Sequence, residues 1–375
     1  MEYLEIIKAF GQNLRRARKE AGLTQLQLAQ RLGYSSKAVS KWESGDCIAP
    51  AVILPTLAQC LRTDVNSLLR ASGVGSYYIG IDGGGTKTEF LLAEAQGKIL
   101  QRMVLRGCNP NDVGMSACLE ILKQGIQTLC GELPRDRISV FAGLAGGSTG
   151  TNRQKILQFL STFGFRQWDC GSDAANALIA TLGHRNGILV IAGTGNITFV
   201  QKDGQKHRLG GFNYLFEDGG SAYMVGREAL FYALKTEEAG KVDSLLYRLV
   251  LEKCGTATVL DQLGVFYAEG KSTIAAFAPI VFQAAGEGDA VAREILTQNA
   301  AVLAREIEQG AALLGEPNPE VVLIGGLTKQ EAVLLPLIQQ HLHIDCRLHT
   351  YQGSLAKGAL LLAGWEEHHA ENGTT

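Results

Sequence analysis

Residues 77–92 read YYIGIDGGGTKTEFLL. The apolar run Tyr77–Ile81 ends in Asp82. Three glycines follow, and Thr86, Lys87 and Thr88 lead into a second β-prone run, Glu89–Ala93. The turn Gln96–Gly97 then opens a third run, Ile99–Leu105. Strand, glycine turn, strand is a hairpin, unlike the strand–loop–helix of a Walker P-loop, and GxxxxGK[ST] is absent. The spacing does not suit a dinucleotide-binding turn either. Gly83, Gly84 and Gly85 bare backbone N–H groups that can cradle phosphate oxygens, and Thr86 and Lys87 add donors. Asp82 suits Mg²⁺ held through water, because Mg²⁺ keeps part of its hydration shell.

The same device recurs. Gly187–Ala192 (GILVIA) is a continuous apolar strand, Gly193, Thr194, Gly195 and Asn196 make the turn, and Ile197–Val200 continues as strand. A third apolar strand, Val321–Ile324, ends in Gly325 and Gly326, where a flat ring can lie against bare backbone. Asp173, in GSDAANAL, follows a short strand and starts a helix of small residues, Ala174–Ala180. A carboxylate at a helix N-terminus is favoured in its ionised form, and an N-cap role is compatible with a catalytic one.

Outward from these loops, 45 of the 375 residues are glycine, well above the typical ~7%. Hydrophobic residues make up 46% and charged residues 19%, which excludes a wholly disordered chain. The longest apolar runs fall short of the ~18 residues of a membrane span. The N-terminus lacks the pattern of a secretory signal. Eight scattered cysteines form no CxxC pair and indicate neither a disulfide framework nor a zinc or iron–sulfur site. A reduced cytoplasmic protein is expected.

Residues 1–70 carry ten Lys/Arg against six Asp/Glu, whereas the remainder is net acidic. A basic head on an acidic body suits a polyanion partner for the head alone. Ile7, Phe10, Leu14, Ala17 and Ala21 mark one face of an amphipathic helix. Thr24 and Gln27 form a capping box that opens a short helix burying Leu28, Ala29 and Leu32, and Gly33 stops it. Ser35 caps a third helix with Val39 and Trp42 inward, Pro50 opens a fourth and Asp64 caps a fifth. ASGVGS, residues 71–76, is a plausible linker. The apolar-periodic helices from about Gly219 to Ala312 are expected to carry stability and dimer contacts.

TQLQLAQRLGYSSKAVSKWESG (24–45) resembles the Cro/phage-repressor (XRE) family of helix-turn-helix domains over residues 6–70. The resemblance implies that the third helix enters the major groove of an operator. Ser36, Lys37, Ser40 and Lys41 would then contact bases or phosphates, with Gln25 reaching backbone phosphate. Such heads act as dimers on paired half-sites, so a homodimer is expected.

Residues 77–365 resemble the BadF/BadG/BcrA/BcrD family, which contains N-acetylglucosamine kinase, within the actin/hexokinase/Hsp70 superfamily. The stretches that carry it are GIDGGGTKTEFLL, GLAGG, SDAANAL, VIAGTGN, LGGFNYLFEDGGSAYMVGREAL and LIGGL. The implied fold is an all-α helix-turn-helix head on an α/β two-lobed, ribonuclease H-like (actin-like ATPase) body, with a first lobe at 77–184, a second at 185–375, a C-terminal helix, 355–364, returning to the first lobe, and ATP and substrate in the cleft. The implied activity is Mg²⁺-ATP-dependent phosphorylation of an amino sugar. Asp173 would accept the sugar hydroxyl's proton, and Asn109, Gly211, Phe212 and Asp218 would bind the sugar. The chain departs from the resembled mammalian kinase at Asn111 and Phe212, where that enzyme carries aromatic residues (Trp at the second), which leaves the particular amino sugar open. The alternative is a transcriptional regulator that uses a kinase-like body as a sugar or nucleotide sensor with little or no turnover.

Overall fold

A computed structural model describes residues 3–61, 63–69, 76–95, 97–212, 214–216, 219–241 and 244–366. The expected linker therefore lies outside the described residues except for Ser76. The head holds five helices: α1 (Tyr3–Glu20), α2 (Gln25–Leu32), α3 (Ser36–Ser44), α4 (Leu54–Cys60) and α5 (Val65–Leu69). Their boundaries are set by local chemistry. The Thr24 hydroxyl accepts from the Gln27 N–H while the Gln27 side chain accepts from the Thr24 N–H, and Gly33 ends α2 with φ +70°. Ser35 caps α3 through the Ala38 N–H, and Asp64 caps α5 through the Ser67 N–H. Pro50 opens a 3₁₀ turn, Ala51–Ile53, before α4. Phe10, Leu14, Leu28, Val39, Trp42 and Leu57 build a core belonging to the head alone. Within it Arg18 and Glu43 form a buried, two-pronged ion pair.

The body carries two five-stranded sheets. The first uses β1 (Tyr77–Gly83), β2 (Lys87–Glu94), β3 (Ile99–Arg106), β4 (Ile138–Leu144) and β5 (Gln167–Gly171), in the order β3-β2-β1-β4-β5. The second uses β6 (Gly187–Ala192), β7 (Asn196–Lys202), β8 (Gln205–Gly210), β9 (Glu320–Ile324) and β10 (Arg347–Thr350), in the order β10-β9-β6-β7-β8. Read from its other edge, the second order repeats the first, strand for strand. In both, the first two strands form the glycine-turn hairpin, with Asp82 opposite Glu89 in one and Ala192 opposite Asn196 in the other. β6 then pairs in parallel with β9, and β9 with β10. β6 and β9 are near-continuously buried, as strands covered on both faces must be, whereas β10 at the sheet edge alternates between exposed and half-buried.

By packing, the chain divides into two units. One holds residues 1–142, 148–170 and 363–375, and the other holds 143–147 and 171–362. The division falls before the helix Asp173–Thr181, ahead of the expected 184/185 boundary. The reason is apolar contact: Ala177, Leu178 and Leu182 of that helix pack on Leu189, Val322 and Ile324 of the second sheet. The C-terminal helix, Ala356–Leu362, likewise packs within the second unit. A Cβ on its Gly358 would sit 1.9 Å from the Asn176 carbonyl oxygen, so only glycine permits the approach. The chain beyond it joins the first unit, where the Trp365 indole donates to the Glu94 carbonyl. In the second unit the long helix Ala290–Leu314 lays Leu296, Ala300, Leu303 and Ile307 into a core shared with Ile188, Val190 and Val200. Among the described residues no helix is long and apolar enough to cross a membrane.

Candidate active site

In the first unit the glycine turn is closed on itself and braced from below. The Gly84 N–H donates to the Lys87 carbonyl, and the Gly84 carbonyl accepts from the Cys108 N–H. Gly107 abuts it so closely that a Cβ would lie 1.9 Å from the Gly85 oxygen. Gly85, Thr86 and Lys87 are exposed at the tip and Asp82 is half-buried. Asn109 lies beside this turn. Its side chain caps the short helix Pro110–Val113 through the Asn111 N–H and donates its amide to Asp112 at 2.7 Å. Asp112, which the sequence did not single out, stands 3.2 Å from where a Cβ of Gly85 would be.

In the second unit the turn Gly193–Gly195 is pinned to a helix. The Gly193 and Thr194 carbonyls accept from the N–H groups of Ala222 and Tyr223, at the start of the helix Ala222–Glu238. Two of the turn's acceptors are thus spent on the helix and the third, the Gly195 carbonyl, on the Gly193 N–H, which suits a turn meant to meet an anion. Gly325, with φ +111°, nests against the same turn: a Cβ there would lie 2.5 Å from the Ala192 oxygen and 2.9 Å from the Gly193 nitrogen.

Asp173 opens a helix that packs on this sheet. The helix Asp173–Thr181 ends beside the start of β6, where Leu182 touches Gly187 and the Gln201 amide holds the Gly183 and Arg185 carbonyls. Its Ala177 and Leu178 lie against Leu189, Val322 and Ile324 of β6 and β9, the strands that run out into Gly193 and Gly325. The loop 143–147 reaches the first turn of this helix, with the Gly143 carbonyl accepting from Asn176. The N-cap is Ser172, and Asp173 is the first helical residue, its carboxylate accepting from the Ala174 N–H at 3.0 Å. The expectation of a favoured ionised form is corrected here. Burial pushes the carboxyl above its ordinary value, and the backbone N–H groups offset only part of that.

Gly211 and Phe212 border a cavity of about 290 Å³ shared with Asn196, Phe216, Arg305 and Glu306. Phe212 is 67% exposed, and the Arg208 guanidinium sits 6.0 Å from its ring centre while bonding the Gly210 and Gly211 carbonyls. Asp218 and its neighbour Glu217 lie outside the described residues. Among the described residues no cluster of three or more His, Cys, Asp or Glu is arranged to hold a metal ion.

In the head, Ser36, Lys37, Ser40 and Lys41 are all exposed on α3. Gln25 is turned inward, its amide donating to Glu43 at 2.8 Å, so that its side chain joins the Arg18–Glu43 pair.

Comparison with known proteins agrees with this geometry. Residues 9–73 match a helix-turn-helix domain model, and residues 79–363 match that of the BadF/BadG/BcrA/BcrD ATPase family. The chain is 27% identical over 299 residues to an N-acetylmuramic acid/N-acetylglucosamine kinase of Clostridium acetobutylicum, covering 76% of this chain and 98% of that one. A crystal structure of a protein assigned as an N-acetylglucosamine kinase, from Chromobacterium violaceum, superposes with TM-score 0.64 at 27% identity, covering 77% and 99% of the two chains. At 16% identity, where the likeness speaks to fold alone, a ROK family transcriptional regulator homologous to the E. coli MLC protein superposes over 97% of this chain and 96% of its own, TM-score 0.56. With three quarters of its length in one family model, and with the paired sheets and glycine turns to match, this chain belongs to the BadF/BadG/BcrA/BcrD ATPase family and carries a helix-turn-helix head in front of it.

Proposed function

We propose that the chain transfers a phosphoryl group from ATP to a hydroxyl of an amino sugar, with Asp173 as general base. What supports this reading is that the helix opened by Asp173 packs on the sheet whose strands β6 and β9 run out into the Gly193–Gly195 and Gly325–Gly326 turns. The turns fit ATP. Gly193 and Thr194 have their carbonyls spent on a helix, Gly325 leaves a cradle that a Cβ would fill, and Gly83–Gly85 with Thr86 and Lys87 offers a second set of donors. Asp82, a hard oxygen ligand at the end of β1, fits Mg²⁺, which would neutralise charge on the phosphates.

Phosphoryl transfer asks the protein mainly for position and electrostatics. The sugar oxygen bonds to the γ-phosphorus, the bond to the ADP oxygen breaks, and the hydroxyl proton passes to the Asp173 carboxylate. A carboxyl raised by burial holds that proton better than an exposed one, which is the direction general-base catalysis requires near neutral pH. Asn109, Gly211, Phe212 and Asp218 are assigned to the sugar, and the names of the kinase relatives support the amino-sugar class. The head is assigned to duplex DNA through Ser36, Lys37, Ser40 and Lys41, the only outward side chains of α3's first turns that offer donors, with Gln25 reduced to holding Glu43. A homodimer in the cytoplasm, with DNA occupancy answering to sugar or ATP, completes the proposal. Purified protein with Mg²⁺-ATP should release ADP only when an amino sugar is present. Absence of turnover across glucosamine, N-acetylglucosamine and N-acetylmuramic acid removes the kinase assignment.

A further inference from the structure

Glu306 stands 9% exposed in the middle of the helix Ala290–Leu314, among Leu303, Ala304 and Ile307. A carboxylate in that setting is costly unless its hydrogen bonds are met, and an apolar residue of similar volume would pack there without the cost. Two of its hydrogen bonds go to one strand. The Asn196 amide donates to one oxygen at 2.9 Å and the Thr198 hydroxyl to the other at 2.8 Å. Asn196 is the residue that leaves the Gly193–Gly195 turn, and Thr198, two positions on, shares its face of β7. The same carboxylate touches a second loop: a Cβ on Gly210 would lie 3.1 Å from Glu306 Oε1, and Glu306 lines the cavity with Gly211 and Phe212. One helical face repeats the device seven residues earlier. Asn299 accepts from the Gly220 N–H and donates to Glu228.

We infer that Glu306 is a positioning residue for the proposed kinase reaction, fixing the nucleotide turn and the 210–211 sugar loop to one helix; this rests on the assignment of those loops made above. Glu306 acts through its hydrogen bonds to Asn196 and Thr198. Its charge, near a turn built for phosphates, opposes nucleotide binding rather than aiding it. A glutamine at the same position can serve both contacts, since its carbonyl accepts from Asn196 and its amide donates to the Thr198 hydroxyl. The neutral variant is therefore expected to work, whereas a truncated one is not.

The test measures ATP affinity by titration calorimetry and the KM for ATP by ADP release, on the full chain. Glu306→Ala is expected to raise both at least tenfold. Glu306→Gln is expected to stay within about threefold of wild type, and Thr198→Val, which removes one donor without opening a cavity, to raise both severalfold. A role confined to stability lowers the active fraction and the Tm but leaves the KM of the surviving molecules unchanged. Wild-type values in Glu306→Ala or in Thr198→Val overturn the inference, as does a Glu306→Gln variant as impaired as Glu306→Ala. Should Glu306→Ala not fold, Thr198→Val and Glu306→Gln decide. A wild type that binds ATP but phosphorylates no sugar defeats the kinase assignment while the calorimetry still judges Glu306. One that binds no ATP defeats both.

Discussion

Replacing Gly325 by alanine tests the proposed nucleotide site at a point with no room for a side chain. The new Cβ would meet the Ala192 oxygen at 2.5 Å, the Ala192 carbon at 2.6 Å and the Gly193 nitrogen at 2.9 Å, whereas ordinary contact begins near 3.4 Å. All three atoms are backbone, so no side chain can rotate away, and the end of β6 must yield by about 1 Å. Gly325 also holds φ +111°, a region L-residues rarely adopt. Backbone strain of about 1–3 kcal/mol and overpacking of about 1–3 kcal/mol add to roughly 2–6 kcal/mol if nothing moves. The cheaper response is displacement of the Gly193 turn, and a 1 Å misplacement of a positioning group costs on the order of 100-fold in rate. Gly325→Ala is thus expected to lower kcat/KM for ATP about 100-fold and to lower the Tm. Gly326→Ala is the control. A Cβ there meets nothing within 4 Å, so its Tm should match wild type, while a severalfold rise in KM for ATP reports a nucleotide lying against it. A Gly325→Ala enzyme with wild-type KM and Tm would refute the close approach on which the site was built.

Asp173→Asn is expected to lower kcat by about 10²–10⁴-fold, the usual contribution of a general base. It should also raise the Tm. With the folded-state pKa above the unfolded one, wild-type stability is full below the ordinary carboxylate value and falls as pH rises through the folded value. The Tm gap between variant and wild type should therefore open from acid toward neutral pH, and a gap that is constant or closes contradicts the burial argument. Lys37→Ala and Lys41→Ala should each weaken binding to duplex selected from a random library and reduce the slope of log K against log salt by about 1, as loss of one phosphate contact requires. Glu43→Ala strands the buried Arg18 and the Gln25 amide, at about 3–5 kcal/mol, a large part of a small domain's stability. DNA binding should be lost while sugar-dependent ADP release persists.

What the sequence made legible was local. The Thr24–Gln27 box, the Ser35 and Asp64 caps and the apolar strands running into Gly83, Gly193 and Gly325 are each decided within a few residues, and each forms where expected. What it hid depends on distance along the chain. Asn196 and Glu306 are 110 residues apart, and no spacing rule connects a β-turn asparagine to a helix-interior glutamate. Asp173 misled for a related reason. Its helix start argued for easy ionisation, but the dominant influence is desolvation, which comes from what folds over the residue.

The same distinction accounts for the boundary between units. Composition changes little across residues 171–184, and only the pairing of β6 with β9, 133 positions apart from Ile188 to Val321, creates the surface on which the Asp173 helix settles. That pairing also explains how two hairpins as unlike as IDGGGTK and IAGTGN occupy equivalent places in two sheets of one strand order. The order is held by ladders and apolar faces, which tolerate replacement. The turns are held by glycine contacts at 107 and 325 that do not, so that a single methyl group at either position strikes the backbone of a turn proposed to bind phosphate.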